Sequence, residues 1–426
     1  MSFRGKISIL AVSAAIALYA VIGGALGPWT RAQQPINDAG AQLRIFESVL
    51  QHIQNDYVDE PNLEKVRLGA LRGLAGGLDP YSSYLTPEQV REYSAQDKTS
   101  KFGIGAEFSQ VSLYLYVVSV IKGSNAEKAG LKSGDIIEYI DSKATRDISL
   151  YDAKQLIRGE EGTTVTLRVL RSGEKPRVLK VVRGPHKVPP AEARIEGGKF
   201  GVVKVYSLEP GEAADIRNHL QNLAKQGIEK VVLDLRGVAT GTIDEAAAVA
   251  NLFIRQGDLA KIIGRENRII KTYSADPAKA VFDGKVNVLI DLGTAGPGEV
   301  VASAILDAKR GEVVGEKSFG AGVEQQLFRL RNGDGYLLTV AKWASGSGKP
   351  FLTDDRATTG VKPSVEVKRP DTPEPDEVDQ IVNQQDQQNQ NPQPATTPSA
   401  AKSPSPSEDI QLRKAIELLL EKRPVG

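Results

Sequence analysis

The sequence contains no cysteine and only three histidines. Without a thiol, disulfide bridges, thiolate metal sites and a cysteine nucleophile are all excluded. The histidines, His52, His186 and His219, are far apart and follow no metal-ligand pattern. We therefore expect each of them to be a surface or packing residue. The count alone leaves a Ser-His-Asp triad open, but no motif supports one.

An excess of charge of one sign is also missing. The chain has 54 basic and 53 acidic residues and no long basic run, which argues against nucleic acid as the main partner. The acids Asp234, Asp291, Asp244 and Glu245 are scattered, and we interpret them as strand ends and helix caps rather than metal ligands. The glycines within 293–298 are not followed by a lysine at Walker spacing. The sequence therefore predicts neither a metal nor a cofactor.

The N-terminus carries one long apolar run. Arg4 and Lys6 precede an uncharged, largely apolar stretch over residues 7–27. A helix of this length can cross a bilayer core of roughly 30 Å, and the positive charge before it favours an N-terminus in the cytoplasm and a body outside it. Residues 1–33 are thus expected to be an uncleaved anchor or a signal peptide that is later cleaved. Both interpretations predict an extracytoplasmic protein, in the periplasm or cell envelope.

The 426 residues are too many for one core and should form two or three domains. Apolar residues at helical spacing predict a helical arm over 38–98, in which Thr86 and Gln89 begin a helix with a capping box. Short alternating strands with glycine turns predict a small β module over 99–184. Alternating strands and helices over 185–369 predict an α/β core with largely parallel strands.

The end of the chain changes composition. Residues 370–406 are rich in Pro, Gln, Asn and Ser and poor in apolar residues, which predicts a disordered linker. Residues 407–423 then predict an amphipathic helix capped by Ser407, with Leu412, Ile416 and Leu419 on its apolar stripe. We expect this helix to dock on another surface.

The β module resembles a PDZ domain in two segments. The first is Phe102-Gly103-Ile104-Gly105, and the second is the run AGLKSGDII over 129–137. In PDZ domains such a glycine-rich loop turns its N–H groups toward the terminal carboxylate of a peptide, which adds as a strand. The resemblance implies that residues 102–105 bind peptides or protein C-termini.

A longer resemblance covers residues 40–369, about three quarters of the chain. Four segments are similar, in the same order, to those of the C-terminal processing peptidases, which are serine–lysine enzymes also known as tail-specific proteases. The segments are LRGLAGGLDPYSSYLTPE (71–88), LDLRG (233–237), GEKSFGAGVEQ (315–325) and GVKP (360–363). The resemblance implies an α+β multidomain protein with a helical arm, a PDZ-like module and a ClpP/crotonase-like peptidase core.

The sequence departs from that family where the reaction should occur. The family carries its nucleophile as the middle serine of a Ser-Ala-Ser-Ala-Ser-Glu run, but this chain has Gly296 at that position. The family lysine follows 25 residues later in Phe-Gly-Lys-Gly, and 296 + 25 gives Ala321. Gln325 retains the residue that orients the lysine in the family. Neither the nucleophile nor the general base is present at its expected position.

The oxyanion hole is altered as well. The family is expected to use the N–H after its nucleophile, and here that residue is Pro297, which has no N–H. The opposite side of the hole is an Arg-Gly-Asn-Pro-Gly-Gly loop in the family, whereas residues 236–241 read RGVATG. The sequence therefore predicts that none of the catalytic groups is intact.

Three hypotheses about function follow. The first is a pseudo-peptidase that binds extended peptides or C-termini as a scaffold or regulator. The second is an active serine-type endopeptidase with a substitute dyad drawn from Lys317, Ser318 or Thr294. The third is a hetero-oligomer with an active paralogue, formed through residues 38–98 and the final helix.

Overall fold

The computed structural model describes residues 39–95, 101–369 and 409–420. The predicted signal or anchor segment and the predicted linker over 370–406 lie outside these residues. Within the described ranges, no helix combines the length and the apolar character that a membrane crossing requires. The described residues divide into two compact units, one that ends at Ala70 and one that begins at Leu71.

The first unit contains helix α1 (Ala39–Asp56) and the first part of α2 (Leu63–Gly76). Helix α1 buries none of its residues. Its apolar side chains are exposed, and they are Leu43, Ile45, Phe46, Val49 and Leu50. His52 lies on this helix and contacts Asp56 through Nδ1 and Oδ2 at 2.6 Å.

The second unit begins with an element that helical spacing did not predict. Strand β1 (Ser83–Leu85) has all three residues buried and pairs antiparallel with residues 335–337. Helix α3 (Pro87–Ala95) follows it, and here the predicted capping box is confirmed. The Thr86 N–H donates to Gln89 Oε1 at 3.0 Å, and the Gln89 N–H donates to Thr86 Oγ1 at 3.4 Å.

The PDZ-like module is a six-stranded antiparallel sheet with two helices. Its strands run β2-β3-β4-β6-β7 across the sheet, with β5 on β4. Fully buried Leu115, Ile137 and Leu167 come from three different strands and form its core. The elements are β2 (Ala106–Val111), β3 (Tyr114–Val120), α4 (Asn125–Lys128), β4 (Ile136–Ile140), β5 (Lys143–Ala144), α5 (Leu150–Ile157), β6 (Thr164–Leu170) and β7 (Arg177–Val182).

The α/β core has a six-stranded sheet in the order β17-β14-β13-β10-β9-β8. The prediction of largely parallel strands is confirmed, since only the β8–β9 pair is antiparallel. The elements are β8 (Glu192–Glu196), β9 (Phe200–Lys204), α6 (Glu212–Lys225), β10 (Lys230–Asp234), α7 (Ile243–Asn251), β13 (Lys285–Ile290), α8 (Pro297–Asp307), β14 (Val313–Gly315) and β17 (Val365–Glu366).

A second sheet of this core is antiparallel and was not anticipated. It runs β1-β16-β11-β12, and β15 pairs with β16. Helix α8 is buried along most of its length between the two sheets. The strands are β11 (Asp258–Gly264), β12 (Ile269–Ser274), β15 (Val323–Arg329) and β16 (Gly335–Ser345).

The last helix, α9 (Ile410–Leu420), packs on the outer face of the parallel sheet. Leu412, Ala415 and Leu419 are buried there. The predicted cap, Ser407, lies outside the described residues; within them the Asp409 carboxylate accepts the N–H of Leu412 at 3.0 Å. An acidic N-cap satisfies the unpaired amides of the first turn and complements the helix dipole.

Candidate functional site

Gly296 lies in the sharp turn that joins the end of β13 to helix α8. Its φ of 50° and ψ of −105° are strained for a residue with a side chain. A Cβ placed at this position meets only the Trp343 ring, at 3.7 Å. The turn thus has the strand-to-helix form in which hydrolases present a nucleophile, with room for a side chain but no reactive atom.

Glu299 binds the backbone around both altered positions. Its side chain is fully buried. One carboxylate oxygen accepts the N–H of Gly296 and the N–H of Ala321, each at 2.8 Å. The other accepts the N–H of Gly320 at 2.8 Å and the hydroxyl of Ser318.

The environment of this carboxylate changes its protonation. Burial raises the pKa of Glu299 to about 7, although the four hydrogen bonds oppose the shift. The sequence patterns alone did not predict a role for Glu299. The signal was available, because an acid three residues after a helix N-cap is the capping-box position.

Ala321 and Gln325 do not form a catalytic pair. The Ala321 side chain packs against an apolar cluster that includes Tyr116, Val118 and Phe319. Gln325 donates through Nε2 to the carbonyl of Tyr81 at 2.8 Å. The retained glutamine therefore binds the segment before β1.

The N–H groups expected to form an oxyanion hole have other partners or are absent. Pro297 occupies the first turn of α8 and has no N–H. Across the turn, the N–H of Gly237 donates to Asp291 Oδ1 at 2.9 Å. The N–H of Val238 donates to the carbonyl of Leu235 at 3.1 Å. None of these three residues therefore offers a free backbone N–H to a developing negative charge.

The residues of the predicted substitute dyad have separate partners. Lys317 donates through Nζ to the carbonyl of Arg356 at 2.8 Å. The Ser318 hydroxyl donates to Glu299 and accepts the N–H of Val361 at 2.7 Å. Thr294 is buried and donates to the carbonyl of Leu235 at 3.0 Å. Neither the Ser318 hydroxyl nor the Thr294 hydroxyl is hydrogen-bonded to the Lys317 amine.

The scattered acids have structural partners. Asp234 lies between Lys204 at 3.2 Å and Arg236 at 2.8 Å. Burial disfavours the charge of Asp234, but these two cations outweigh it and lower its pKa. The remaining acids also have partners: Asp291 pairs with Arg369, Asp244 with Lys271, and Glu245 accepts the amides of Gly211 and Ala213. Within the described ranges, no cluster of three such side chains is suited to a metal ion.

The predicted carboxylate loop, residues 102–105, lines a groove of about 370 Å³. Apolar walls come from Phe108, Ile121 and Ile157. Lys154, Arg158 and the exposed His186 lie at its rim.

The geometry of that loop fits an anion. The N–H groups of Gly103, Ile104 and Gly105 have no acceptor in the part of the chain that the structure describes. Gly105 has a φ of 85°, and a Cβ there would lie 2.3 Å from the Ser124 Cβ. Only glycine fits this position. Phe102 is fixed beside it by paired backbone bonds with Gly159 at 2.7 and 3.0 Å.

Strand β3 connects this module to the altered site. The Ser119 hydroxyl donates to the carbonyl of Gly237 at 2.5 Å. The ring of Tyr116 stacks on Phe319 with centroids 5.6 Å apart. Next to this contact lies a cleft of about 800 Å³, lined in part by Pro80, Tyr81 and Gly320. Burial raises the pKa of the Tyr81 phenol to about 12, so it is neutral in this cleft.

Comparison with known proteins identifies both modules. Residues 199–367 match peptidase family S41, and residues 116–171 match the PDZ domain. Carboxy-terminal processing protease CtpA of Bacillus subtilis is 31% identical over 340 residues, which cover 80% of this chain and 72% of that protein. A probable CtpA-like serine protease of Staphylococcus aureus is 32% identical over 333 residues, which cover 78% of this chain and 66% of the relative.

A solved structure shows the same architecture. The photosystem II D1 C-terminal processing protease aligns with a TM-score of 0.64 and 26% identity, over 76% of this chain and 86% of that one. Together with the identity to the CtpA relative over 340 residues, this likeness defines the lineage. The chain is a member of the C-terminal processing peptidases of family S41, with a PDZ domain.

Proposed function

We propose that this chain is a pseudo-peptidase that binds extended peptides or protein C-termini without cleaving them and serves as a scaffold or regulator. The observation that carries the proposal is that Gly296, Ala321 and Pro297 stand where the family has its nucleophile, its base and an oxyanion donor. The Ser318 hydroxyl and the amides of Gly296, Gly320 and Ala321 are bound by one carboxylate, that of Glu299.

Hydrolysis of an amide needs a nucleophile, a base and stabilisation of an oxyanion. Gly296 and Ala321 cannot supply the first two, and Pro297 cannot donate to the third. Removing a single oxyanion donor lowers kcat by roughly 10²–10³. The combined loss supports the proposal that the site retains the shape of a peptidase site but does not hydrolyse amides.

The binding module supports retention of polypeptide. Residues 103–105 offer unpaired amides, and the apolar walls of the groove suit the last side chain of a peptide. Arg158, which also lines the groove, adds attraction for a carboxylate. A free C-terminus is therefore the proposed ligand.

The alternative is an active serine-type endopeptidase with a non-standard dyad. It is favoured by the relatives, which are named as proteases. Ser318 and Lys317 are the nearest reactive groups, but each has other partners. An extracytoplasmic location and association with an active paralogue remain proposals that rest on the N-terminal pattern and the altered site.

The binding proposal is tested by titrating the protein with paired peptides that have a free or an amidated C-terminus. We expect the free acid to bind at least about tenfold more tightly, because only it presents a carboxylate to residues 103–105. Equal affinity for the two peptides, or no binding of either, would contradict carboxylate capture.

The catalytic proposal is tested with an unfolded protein substrate. We expect no cleavage by the native chain and measurable cleavage by the triple variant Gly296→Ser, Pro297→Ala, Ala321→Lys. The variant restores a nucleophile, an N–H and a base, and a Cβ at position 296 meets only the Trp343 ring, at 3.7 Å. Cleavage by the native chain that disappears in Lys317→Ala or Ser318→Ala would instead establish the substitute dyad.

A further inference from the structure

The outer face of the parallel sheet forms a groove that is filled by the last helix. We call this surface the tail-helix groove and define it by its buried apolar residues, Phe200, Val202, Val232, Leu289 and Val314. The apolar stripe of α9, formed by Leu412, Ala415 and Leu419, lies in this groove. Spacings of three and four residues put these side chains on one face of the helix.

The first turn of α9 is bound by a partly buried arginine. Arg236 binds Asp409 with two parallel bonds, Nη1 to Oδ1 at 2.9 Å and Nη2 to Oδ2 at 2.8 Å. Gln411 is fully buried beside it. Its Oε1 accepts from Arg236 at 3.1 Å, and its Nε2 donates to the carbonyl of Val367 at 2.8 Å.

The second half of α9 is bound by donors from strand β13. Asn287 donates through Nδ2 to the carbonyl of Ala415 at 2.9 Å. The amide of Asn287 is oriented by the N–H of Glu312, which donates to its Oδ1 at 3.0 Å. Lys285 approaches the carbonyl of Leu419 at 3.5 Å, where a cation complements the helix dipole. The groove therefore binds polar groups at defined positions along the helix as well as its apolar face, and these polar contacts fix the direction in which the helix lies.

The same arginine belongs to the loop of the candidate site. Arg236 also binds Asp234 through Nε and Nη2 at 2.9 and 2.8 Å. The next residue, Gly237, bonds to Asp291 and to Ser119 of the PDZ-like module. When α9 is docked, Asp409 therefore holds Arg236, which is the first residue of the 236–241 loop.

The connection to this helix is much longer than the gap it closes. The Gln411–Val367 bond puts the two ends of the intervening segment close together. That segment includes residues 370–408, and 39 residues can span up to about 130 Å. A helix on such a tether can leave the groove and return, because loop-closure entropy rises only slowly with length.

From this geometry we propose that the tail-helix groove is a reversible binding site for the chain's own residues 409–420, and that their docking holds the 236–241 loop in place through Asp409. The ligand is an amphipathic helix with an acidic cap, a glutamine two residues later and a Leu/Ala/Leu stripe. This inference does not depend on the proposed pseudo-peptidase function.

The test uses the full chain with a specific protease sequence inserted near residue 388. After cleavage, we expect the C-terminal fragment to co-elute with the body and to be displaced by an excess of a synthetic peptide of residues 405–424. Leu412→Asp should release the fragment. Asp409→Asn should weaken its retention at least about tenfold, since the charged pair with Arg236 is lost.

Glu417→Gln is the matched control, because it removes the same charge from the exposed face of the same helix. It should leave retention unchanged. Amide hydrogen exchange reports on the loop: Gly237 and Val238 should exchange faster in Asp409→Asn or after displacement of the fragment, but not in Glu417→Gln.

Three outcomes would overturn the proposal. A fragment that excess peptide never displaces would make α9 a permanent part of the core. Equal retention of the Asp409→Asn and Glu417→Gln fragments would show that the Arg236 contact does not hold the helix in the groove. Displacement with unchanged exchange at Gly237 and Val238 would show that the loop does not depend on the helix.

Discussion

Glu299 holds together the backbone of a site that has lost its reactive groups. A buried carboxylate is costly unless several donors satisfy it. Here the donors are the amides of Gly296, Gly320 and Ala321 and the Ser318 hydroxyl. The same bonds that stabilise the carboxylate hold the two altered segments together.

The raised pKa of Glu299 predicts a pH-dependent stability. Its pKa rises from 4.5 to about 7 on folding, so between these values the native state binds more protons than the unfolded state. The contribution of Glu299 to stability therefore falls as pH rises from about 4.5 to about 7, by roughly 3 kcal/mol in total. Urea unfolding at pH 5 and pH 8 should show a smaller decrease for Glu299→Gln than for the native chain.

The exposed substitution Glu417→Gln serves as the reference for that measurement. Its pH profile should follow that of the native chain. If the profile of Glu299→Gln does so too, Glu299 does not titrate in this range.

Gly105 gives a second prediction at the scale of the residue. Gly105→Ala forces a side chain onto a left-handed backbone and against Ser124, which should cost about 2–4 kcal/mol and weaken binding of free C-termini. Gly103→Ala has open space around its Cβ and should be tolerated. Thermal unfolding and peptide titration of both variants check this, and equal losses for the two would contradict it.

At the scale of the element, strand β3 has two roles. One part of it belongs to the PDZ-like core through Leu115 and Val117, and the other contacts the altered site through Tyr116, Val118 and Ser119. Successive side chains of a strand point to opposite faces, which separates Leu115 and Val117 from Tyr116 and Val118. A register shift opposite Glu107 and Phe108 interrupts this alternation before Ser119. A substitution in this strand should therefore affect the packing of both modules.

Tyr116 carries a buried hydroxyl for which the described residues provide no hydrogen-bond partner. Tyr116→Phe should leave stability unchanged or raise it by about 1 kcal/mol, because an unsatisfied polar group is removed. Tyr336→Phe is the comparison, since its hydroxyl donates to the carbonyl of Leu71 at 2.8 Å. That variant should lose about 1 kcal/mol in denaturant unfolding. A loss in Tyr116→Phe as large as that in Tyr336→Phe would mean that Tyr116 has a partner.

At the scale of the whole molecule, Arg236 joins parts that are distant in sequence. It links strand β10, through Asp234, to the final helix, through Asp409, 173 residues away. Its guanidinium is largely buried, so the pairs it forms are poorly screened by solvent. Loss of this side chain would leave Asp234 buried with Lys204 alone.

We therefore expect Arg236→Ala to destabilise the fold by about 3–5 kcal/mol, the range for breaking a buried ion pair from one side. Arg255 makes a similar two-bond pair with Asp283, at 2.9 and 2.6 Å, but on the exposed surface. Arg255→Ala should leave the unfolding midpoint unchanged within error. Similar unfolding midpoints for the two variants would show that burial does not determine how much these ion pairs contribute to stability.

Local pattern in the sequence determined the lineage, the order of modules and most of the parallel core. The capping box at Thr86 and Gln89, the glycine-rich loop at 102–105 and the alternation of strands and helices each depend on neighbouring residues, so spacing alone reveals them. The replacements at Gly296, Pro297 and Ala321 are visible in the same way, because the chemistry of a side chain is a property of the residue.

Only the tertiary structure decided where the remaining groups bind. Glu299 meets Ala321 from 22 residues away, Gln325 meets Tyr81, and Arg236 meets Asp409. Strand β1 and the antiparallel sheet depend on partners far along the chain. Such contacts carry no periodic signal, because strand pairing and burial of charge are decided when distant segments pack together.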